Sequence, residues 1–154
     1  MKNRQTGFTL IELVIVIIIL GVLAAFALPR FANLGQQARI ASVNGVSGGV
    51  RAAVALVQSQ YQVRGIITAA GSPVTMLDGT AVTVNVGAAG GIPTAAAVGI
   101  GNALQATSNL VPVDGYTTVY GATTTFTPNS GGSATCRVDY VAATGQVTPQ
   151  IAGC

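Results

Sequence analysis

From Phe8 to Leu28 the chain reads FTLIELVIVIIILGVLAAFAL, and Glu12 is the only ionisable side chain in that run. No polar side chain follows between Leu13 and Leu28. Such a run is close to the ~20 apolar residues that span a bilayer as a helix, so the pattern predicts a transmembrane helix. Past Pro29 the apolar positions thin out but keep helical spacing. Ile40, Val43, Val46, Val50, Val54, Val57 and Tyr61 recur at steps of three and four, which is one face of an amphipathic helix. Ser42, Arg51, Gln58 and Gln60 fall between them. The spacing predicts one helix from Phe8 to about Val63, about 84 Å long at ~1.5 Å per residue, closed by Arg64-Gly65 with Gly in the post-helical position. Pro29 removes a backbone donor and clashes with the preceding turn, costing ~3 kcal/mol in a helix interior. Gly21 costs about 1 kcal/mol relative to Ala. A bend is expected at Pro29, and the stretch from Gly21 to Pro29 is the first expected to unwind. Gly45, Gly48 and Gly49 form a second soft spot, where small residues leave room for a strand or a neighbouring helix.

After Gly65 the signal turns to strands and turns. Val74 to Leu77, Asp78-Gly79 and Thr80 to Val86 predict a hairpin with a tight turn, and Gly87 to Gly91 a flexible break. Thr94 to Ala106 (TAAAVGIGNALQA) predicts a short helix interrupted by Gly99 and Gly101. Tyr116 to Tyr120 and Thr123 to Thr127 predict two strands, Asn129 to Gly132 a loop, and Ala134 to Val141 a strand in which Arg137 and Asp139 alternate with Val138 and Tyr140. Thr144-Gly145 then turns the chain into Gln146 to Thr148, and a loop ends at Cys154. The sum is an α+β architecture, with an antiparallel sheet laid against one long N-terminal helix. The 154 residues divide into a leader (1–7), a transmembrane helix (8–29), an amphipathic helix (30–63) and a β-rich head (64–154).

Glu12 carries the chemistry. A charge inside a membrane helix costs about 2.5–3.5 kcal/mol on insertion scales, so an intramembrane carboxylate is by default a functional residue that needs a partner. Immediately before Phe8 stands Gly7, the last residue of the short basic segment MKNRQTG. A cut between Gly7 and Phe8 leaves a terminal ammonium four residues from Glu12. That cation relieves the carboxylate either within its own chain or from a neighbouring helix, and the residues leave both open. A secretory signal peptide is cut after its apolar region; here the Gly precedes it, so the membrane segment stays on the mature protein. Lys2 and Arg4 place the N-terminus in the cytoplasm by the positive-inside rule. Arg30 on the far flank weakens that asymmetry without reversing it. Everything after Leu28 is then expected outside the inner membrane.

KNRQTG followed by FTLIEL, with Gly21 and Pro29 in the apolar stretch beyond, resembles a type IV prepilin. The segment LPRFANLGQQARIASVNGVSGGVRAAV is similar to mannose-sensitive haemagglutinin-type pilins. The resemblance is strong over the first third of the chain. It implies the pilin fold, a long helix packed on an antiparallel head that ends in a disulfide loop. It also implies cleavage between Gly7 and Phe8 and N-methylation of Phe8 by a prepilin peptidase and methylase. The Phe8 ammonium, which keeps its charge when methylated, would then pair with Glu12 of a neighbouring subunit. Buried ion pairs are best attested as registry devices, and this one would set the axial step between subunits. The implied partners are further copies of the chain in a helical homopolymer, an assembly platform with its cytoplasmic ATPase, and minor pilins. The implied location is a single-pass inner-membrane precursor and then an extracellular fibre serving attachment.

Composition narrows the alternatives. Only 7% of residues are charged and 50% are hydrophobic, with 20 Gly and few aromatics, which suits a light head with small side chains. The formal charge of +3 is no nucleic-acid signal. Without Lys2 and Arg4, five Arg stand against four acidic residues, or +1. Arg30, Arg39, Arg51 and Arg64 are spread along the helix and Arg137 stands alone, as solvated or intersubunit positions do. Cys136 and Cys154 both fall in the exported part, where an even count favours a disulfide. Two thiols without His cannot fill a tetrahedral metal shell, and no cofactor is expected. Lacking His, the chain has no Ser–His or Cys–His pair, and Asp78, Asp114 and Asp139 are isolated in turn or strand contexts. GVSGG and GAAGG lack the Lys-Ser/Thr of a phosphate loop.

The expectation is therefore a non-enzymatic structural subunit. A type II secretion pseudopilin is the rival within the family, and a membrane-tethered periplasmic binding module is the rival from another class. A tether, however, has no use for Glu12. One outcome follows directly from Gly7: the mature chain should begin at Phe8 and carry one extra methyl group. Mass spectrometry of the N-terminal peptide from isolated subunits checks both, and a start at any other residue contradicts them.

Overall fold

The computed structural model describes residues 7–32, 34–65, 73–85, 90–104 and 113–154. Contacts group the chain into two compact units, Met1–Gln37 and Ala38–Cys154. Helix α1, Leu10–Ala32, takes up the apolar run. Gly21 and Pro29 both lie inside it, so the stretch expected to unwind is helical here. Helix α2, Leu34–Arg64, carries the amphipathic pattern and ends where expected, with Gly65 at φ 59° beyond it. Residue 33 and the leader residues before Gly7 lie outside the described residues.

In the second unit α2 buries Val43, Ser47, Val50, Ala53, Val54 and Val57, with Ile40, Val46 and Tyr61 partly buried beside them. This is the expected face. Ser47 and Ala53 join it because small side chains between large ones are covered with them. Gly45, Gly48 and Gly49 point elsewhere: a Cβ added to any of them meets nothing within 4 Å. Among the described residues no strand or second helix uses the room they leave.

Strands β1 (Pro73–Thr75) and β2 (Ala81–Thr83) form the expected antiparallel hairpin, with Val74 opposite Val82. The turn is one residue longer than Asp78-Gly79 alone. Gly79 donates its N–H to Met76 (3.0 Å) and Met76 donates to Thr80 (2.8 Å), so Leu77, Asp78 and Gly79 form a three-residue loop. Gly79 supplies its left-handed residue at φ 86°, as this loop type requires. Asp78 Oδ1 accepts the Thr80 N–H at 2.9 Å, which accounts for an Asp at this position. Val86 and residues 87–89 of the expected break lie outside the described residues.

The helix expected over 94–106 is much shorter. Thr94 donates its N–H to Thr83 (2.9 Å) and Ala96 is extended (φ −140°, ψ 164°), so the hairpin's edge claims the start of that segment. What remains is a π-helical turn, Ala97–Gly101, followed by the Leu104 N–H bonded to Ile100 (3.2 Å). Gln105 and Ala106 lie outside the described residues.

Four strands follow as an antiparallel meander: β3 (Tyr116–Val119), β4 (Thr123–Pro128), β5 (Arg137–Val141) and β6 (Gln146–Gln150). Phe126 sits opposite Val138, and Thr124 opposite Tyr140; Tyr140 in turn sits opposite Val147. This row faces the core, while Thr125, Asp139 and Thr148 form the row on the other side, the alternation a half-covered sheet requires. Pro149 has no N–H to give a ladder and occupies β6, at the sheet edge, where that is tolerated. β5 begins at Arg137 instead of Ala134, because Ser133 and Cys136 exchange backbone bonds in a tight turn.

Val43, Val50 and Val54 cover this sheet together with Phe126, Val138, Tyr140 and Val147. One turn further on, Val57 covers Val74, Val82 and Val84 of the hairpin. Cys136 and Cys154 are joined in a disulfide at the edge of the larger cluster. Tyr140 is fully buried and its hydroxyl donates to the Pro93 carbonyl. Burial pushes that hydroxyl well above its ordinary pKa of 10.0. The unfolded chain therefore ionises first, and stability present below about pH 10 is lost as pH rises beyond it. Tyr140→Phe should cost about 1–2 kcal/mol at neutral pH, because the Pro93 carbonyl is left unpartnered. It should also flatten the alkaline loss. Denaturant titrations at neutral pH and above about pH 10 check the two effects separately.

Candidate functional site

Glu12 lies in the first turn of α1, and the local sequence explains why the helix starts at Leu10 and not at Phe8. Thr9 is the residue before the first helical one, and Glu12 stands three residues on. The Thr9 hydroxyl accepts the Glu12 N–H (3.3 Å), while Glu12 Oε2 accepts both the Thr9 N–H (3.0 Å) and the Thr9 hydroxyl (2.9 Å). This reciprocal arrangement is a capping box, which satisfies donors that a helix start otherwise leaves bare. A carboxylate here also complements the positive end of the helix dipole. The Thr-x-x-Glu spacing ahead of an apolar run is the sequence signal for it. Glu12 is thus partly satisfied by its own chain, through Thr9, and its second oxygen takes no part in these bonds. Phe8, just ahead of the box, is 91% exposed.

Beyond the box Leu10–Ala27 is largely uncovered. The 23 residues of α1 extend about 35 Å at ~1.5 Å per residue, and no residue of the span Leu10–Ala27 is buried. Leu10, Ile11, Leu13, Ile17 and Leu20 all leave more than half of their surface uncovered. A fully buried side chain of this size gains roughly 1.5–3 kcal/mol over an exposed one, so the helix has a large unmet demand for an apolar surrounding. It is long and apolar enough to cross a membrane. α2 meets the same test of length and composition, but Val43, Val50, Val54 and Val57 are turned into the head.

Several polar groups of the head are used internally. Arg39 Nε donates to the Cys154 carbonyl (2.9 Å), and the Arg51 guanidinium to the Val147 carbonyl (3.0 Å). Both therefore bind backbone of the head, Arg39 half-buried and Arg51 still exposed to solvent. Arg137 does not stand alone: its Nε lies 2.7 Å from Asp139 Oδ1, a Coulombic contact without the angle of a directed hydrogen bond. Gln150 Nε2 donates to the other Asp139 oxygen (3.2 Å). Residues two apart on a strand share a face, and that spacing was the available signal. A groove of about 500 Å³ runs between α2, the β1–β2 hairpin and Leu104, lined by Ala52, Leu56, Met76 and Leu77 among others. Among the described residues no three His, Cys, Asp or Glu side chains gather into a metal-binding set.

Removing the cap tests its local role. Thr9→Val should fray the first turn of α1 by about 1 kcal/mol, read as faster amide exchange near Glu12 in detergent-solubilised chain. Thr9→Ser should restore protection.

Residues 2–28 match the family described as the prokaryotic N-terminal methylation motif. The chain is 49% identical over 65 residues to the type IV narrow pilus major component PilA5 of Thermus thermophilus, a match covering 42% of this chain and 54% of that one. It is 44% identical over 54 residues to the type IV major fimbrial protein FimA of Dichelobacter nodosus, and equally so to the fimbrial protein EcpC of Eikenella corrodens. Each of those matches covers 35% of either chain. The chain thus spans about half the length of the first relative and about a third of the other two. No solved structure matches it. The chain thus carries the prokaryotic methylation motif on its first helix and is similar in its N-terminal segment to type IV major pilins, ahead of an α+β head closed by a C-terminal disulfide.

Proposed function

We propose that the chain is the structural subunit of a type IV pilus, polymerising with copies of itself into an attachment fibre. The observation that carries this is α1, an apolar helix with no buried residue over Leu10–Ala27, most of it lying within the methylation motif that spans residues 2–28. Two surroundings meet its demand. One is the inner membrane, which holds the precursor by a single pass with its N-terminus in the cytoplasm. The other is a bundle of α1 helices from further copies. Residues 1–7 act as leader, 8–29 as membrane and fibre-core helix, 30–63 as amphipathic helix and 64–154 as head.

A prepilin peptidase and methylase cleaves between Gly7 and Phe8 and methylates the Phe8 amine. The oxygen of Glu12 left over by Thr9 accepts the Phe8 ammonium of the neighbouring subunit, which fixes the axial register. The segment from Gly21 to Pro29, where a donor is missing and a helix-weak residue sits, yields first when helices are drawn from bilayer to bundle. An assembly platform and minor pilins complete the machinery.

Filaments sheared from cells should contain the chain as their main component; its absence from them, with the chain confined to the envelope, overturns the reading. Glu12→Ala separates membrane residence from assembly. Losing the charge eases bilayer residence by up to ~2.5–3.5 kcal/mol. It also strands the Phe8 ammonium in an apolar bundle, at about 3–5 kcal/mol for each subunit added. Subunits should accumulate, inserted and cleaved, while fibres become few. Abundant, normally ordered fibres in a strain without the wild-type subunit would refute the pairing.

A further inference from the structure

Arg39 stands on α2 with its side chain laid over two pieces of chain that are far apart in sequence. Its Nε donates to the Cys154 carbonyl at 2.9 Å. Its stem and guanidinium press on Gly131, where an added Cβ would lie 2.9 Å from Arg39 Cδ and 3.3 Å from Cζ. Gly131 is at φ 70°, in the loop between β4 and β5. It comes within reach of Cys154 because the Cys136–Cys154 disulfide, spanning 18 residues, returns the end of the chain to that loop. The same closure is drawn tight by the Gly153 N–H donating to Thr135 (2.9 Å), with no room for a side chain on Gly153 beside Thr135. The surface that Arg39 grips is therefore composite. Gly131 supplies one half, Cys154 the other, and the closed loop holds them side by side.

We propose that Arg39 is a latch coupling closure of the Cys136–Cys154 loop to the docking of α2 on it, so that disulfide and helix contact stabilise each other. The coupling is reciprocal by thermodynamic necessity: whatever factor the closed loop adds to Arg39's grip, the grip adds to loop closure. A hydrogen bond from a charged donor to a backbone carbonyl is among the stronger single contacts of a fold. At a partly buried site it should favour the oxidised form about tenfold. α2 precedes the loop in the chain and so serves as the template against which the two thiols meet. Arg39 is a positioning residue in this scheme and does not touch the sulfurs. The proposal stands on the head alone and does not depend on what the subunit builds.

Arg51 provides the control, since it also donates to a main-chain oxygen from the same helix, but to Val147 on β6 at 3.0 Å, within the disulfide-closed segment yet seven residues short of the bridged Cys154. Full-length chain in detergent would be equilibrated with glutathione redox buffers, and its oxidised fraction read by thiol alkylation and mass spectrometry. Arg39→Met should shift the thiol–disulfide equilibrium about tenfold toward the dithiol, and speed reduction by dithiothreitol under native conditions. Arg51→Met should leave the equilibrium within about twofold while lowering the denaturation midpoint comparably. Arg39→Lys, which keeps the charge and stem but loses the planar fork, should fall between, and it decides the matter on the same scale if Arg39→Met does not accumulate. No shift in the Arg39 variants overturns the latch. So does an equal shift in Arg51→Met, which would reduce the effect to general stability.

Discussion

Everything in this chain is arranged around one demand: the apolar surface of α1 cannot be met by its own fold. No residue of Leu10–Ala27 is buried, although burying a large apolar side chain gains roughly 1.5–3 kcal/mol over leaving it exposed. The surroundings must come from outside the described chain; in the proposed function they are lipid first and like helices later. Both are equally apolar, so moving from one to the other gains little from hydrophobicity itself. Association in such a medium rests on packing and on the few polar groups that find partners there. That puts the decisive weight on the helix's N-terminus, where Glu12 is the one polar side chain of Leu10–Ala27.

There the chain resolves a conflict. A carboxylate is costly in an apolar medium, yet a helix start needs acceptors for its bare N–H groups. Glu12 serves the second need through the capping box with Thr9, which holds one of its oxygens on the Thr9 N–H and hydroxyl. An oriented, half-satisfied acceptor makes a more selective docking point than a mobile one, because less side-chain freedom is lost when a cation arrives.

Much of the fold was legible because its signals are periodic. The 3.6-residue pattern of valines gave α2 and its buried face, and strict alternation in Arg137 to Val141 gave β5 with Val138 and Tyr140 inward. Where the reading slipped, a tertiary contact had overruled a local preference. The Ala-rich segment after Pro93 looked helical, but Thr94 is bound to Thr83 across the hairpin, and Gly99 lies too close to Thr94 for any side chain. Sequence spacing carries neither fact. The same holds for Arg39 and Arg51, whose acceptors are carbonyls 115 and 96 residues away. A main-chain acceptor leaves no trace in side-chain identity, so those partners were invisible. By contrast, the Thr9–Glu12 box and the Arg137–Asp139 pair lie three and two residues apart and were open to a local argument.

The head shows why such distant fastenings matter. Its core is built mostly from valine, with Phe126, Tyr116 and Tyr140 as the large contributors. Valine offers less area per residue than leucine or phenylalanine, and a domain's net stability is only about 5–15 kcal/mol. A disulfide closing a loop of this size adds ~3 kcal/mol in the chain-entropy account, a large share of that margin. It acts where strand pairing has stopped, beyond β6, on residues that would otherwise fray. Placing Arg39 on that closed loop and Arg51 on β6 ties the last strand and the end of the chain to the helix that organises the core. A light, glycine-rich head is thereby held at its margin by a few specific bonds. With only 7% of the chain charged, copies of the head would stand side by side in the proposed fibre with little mutual repulsion.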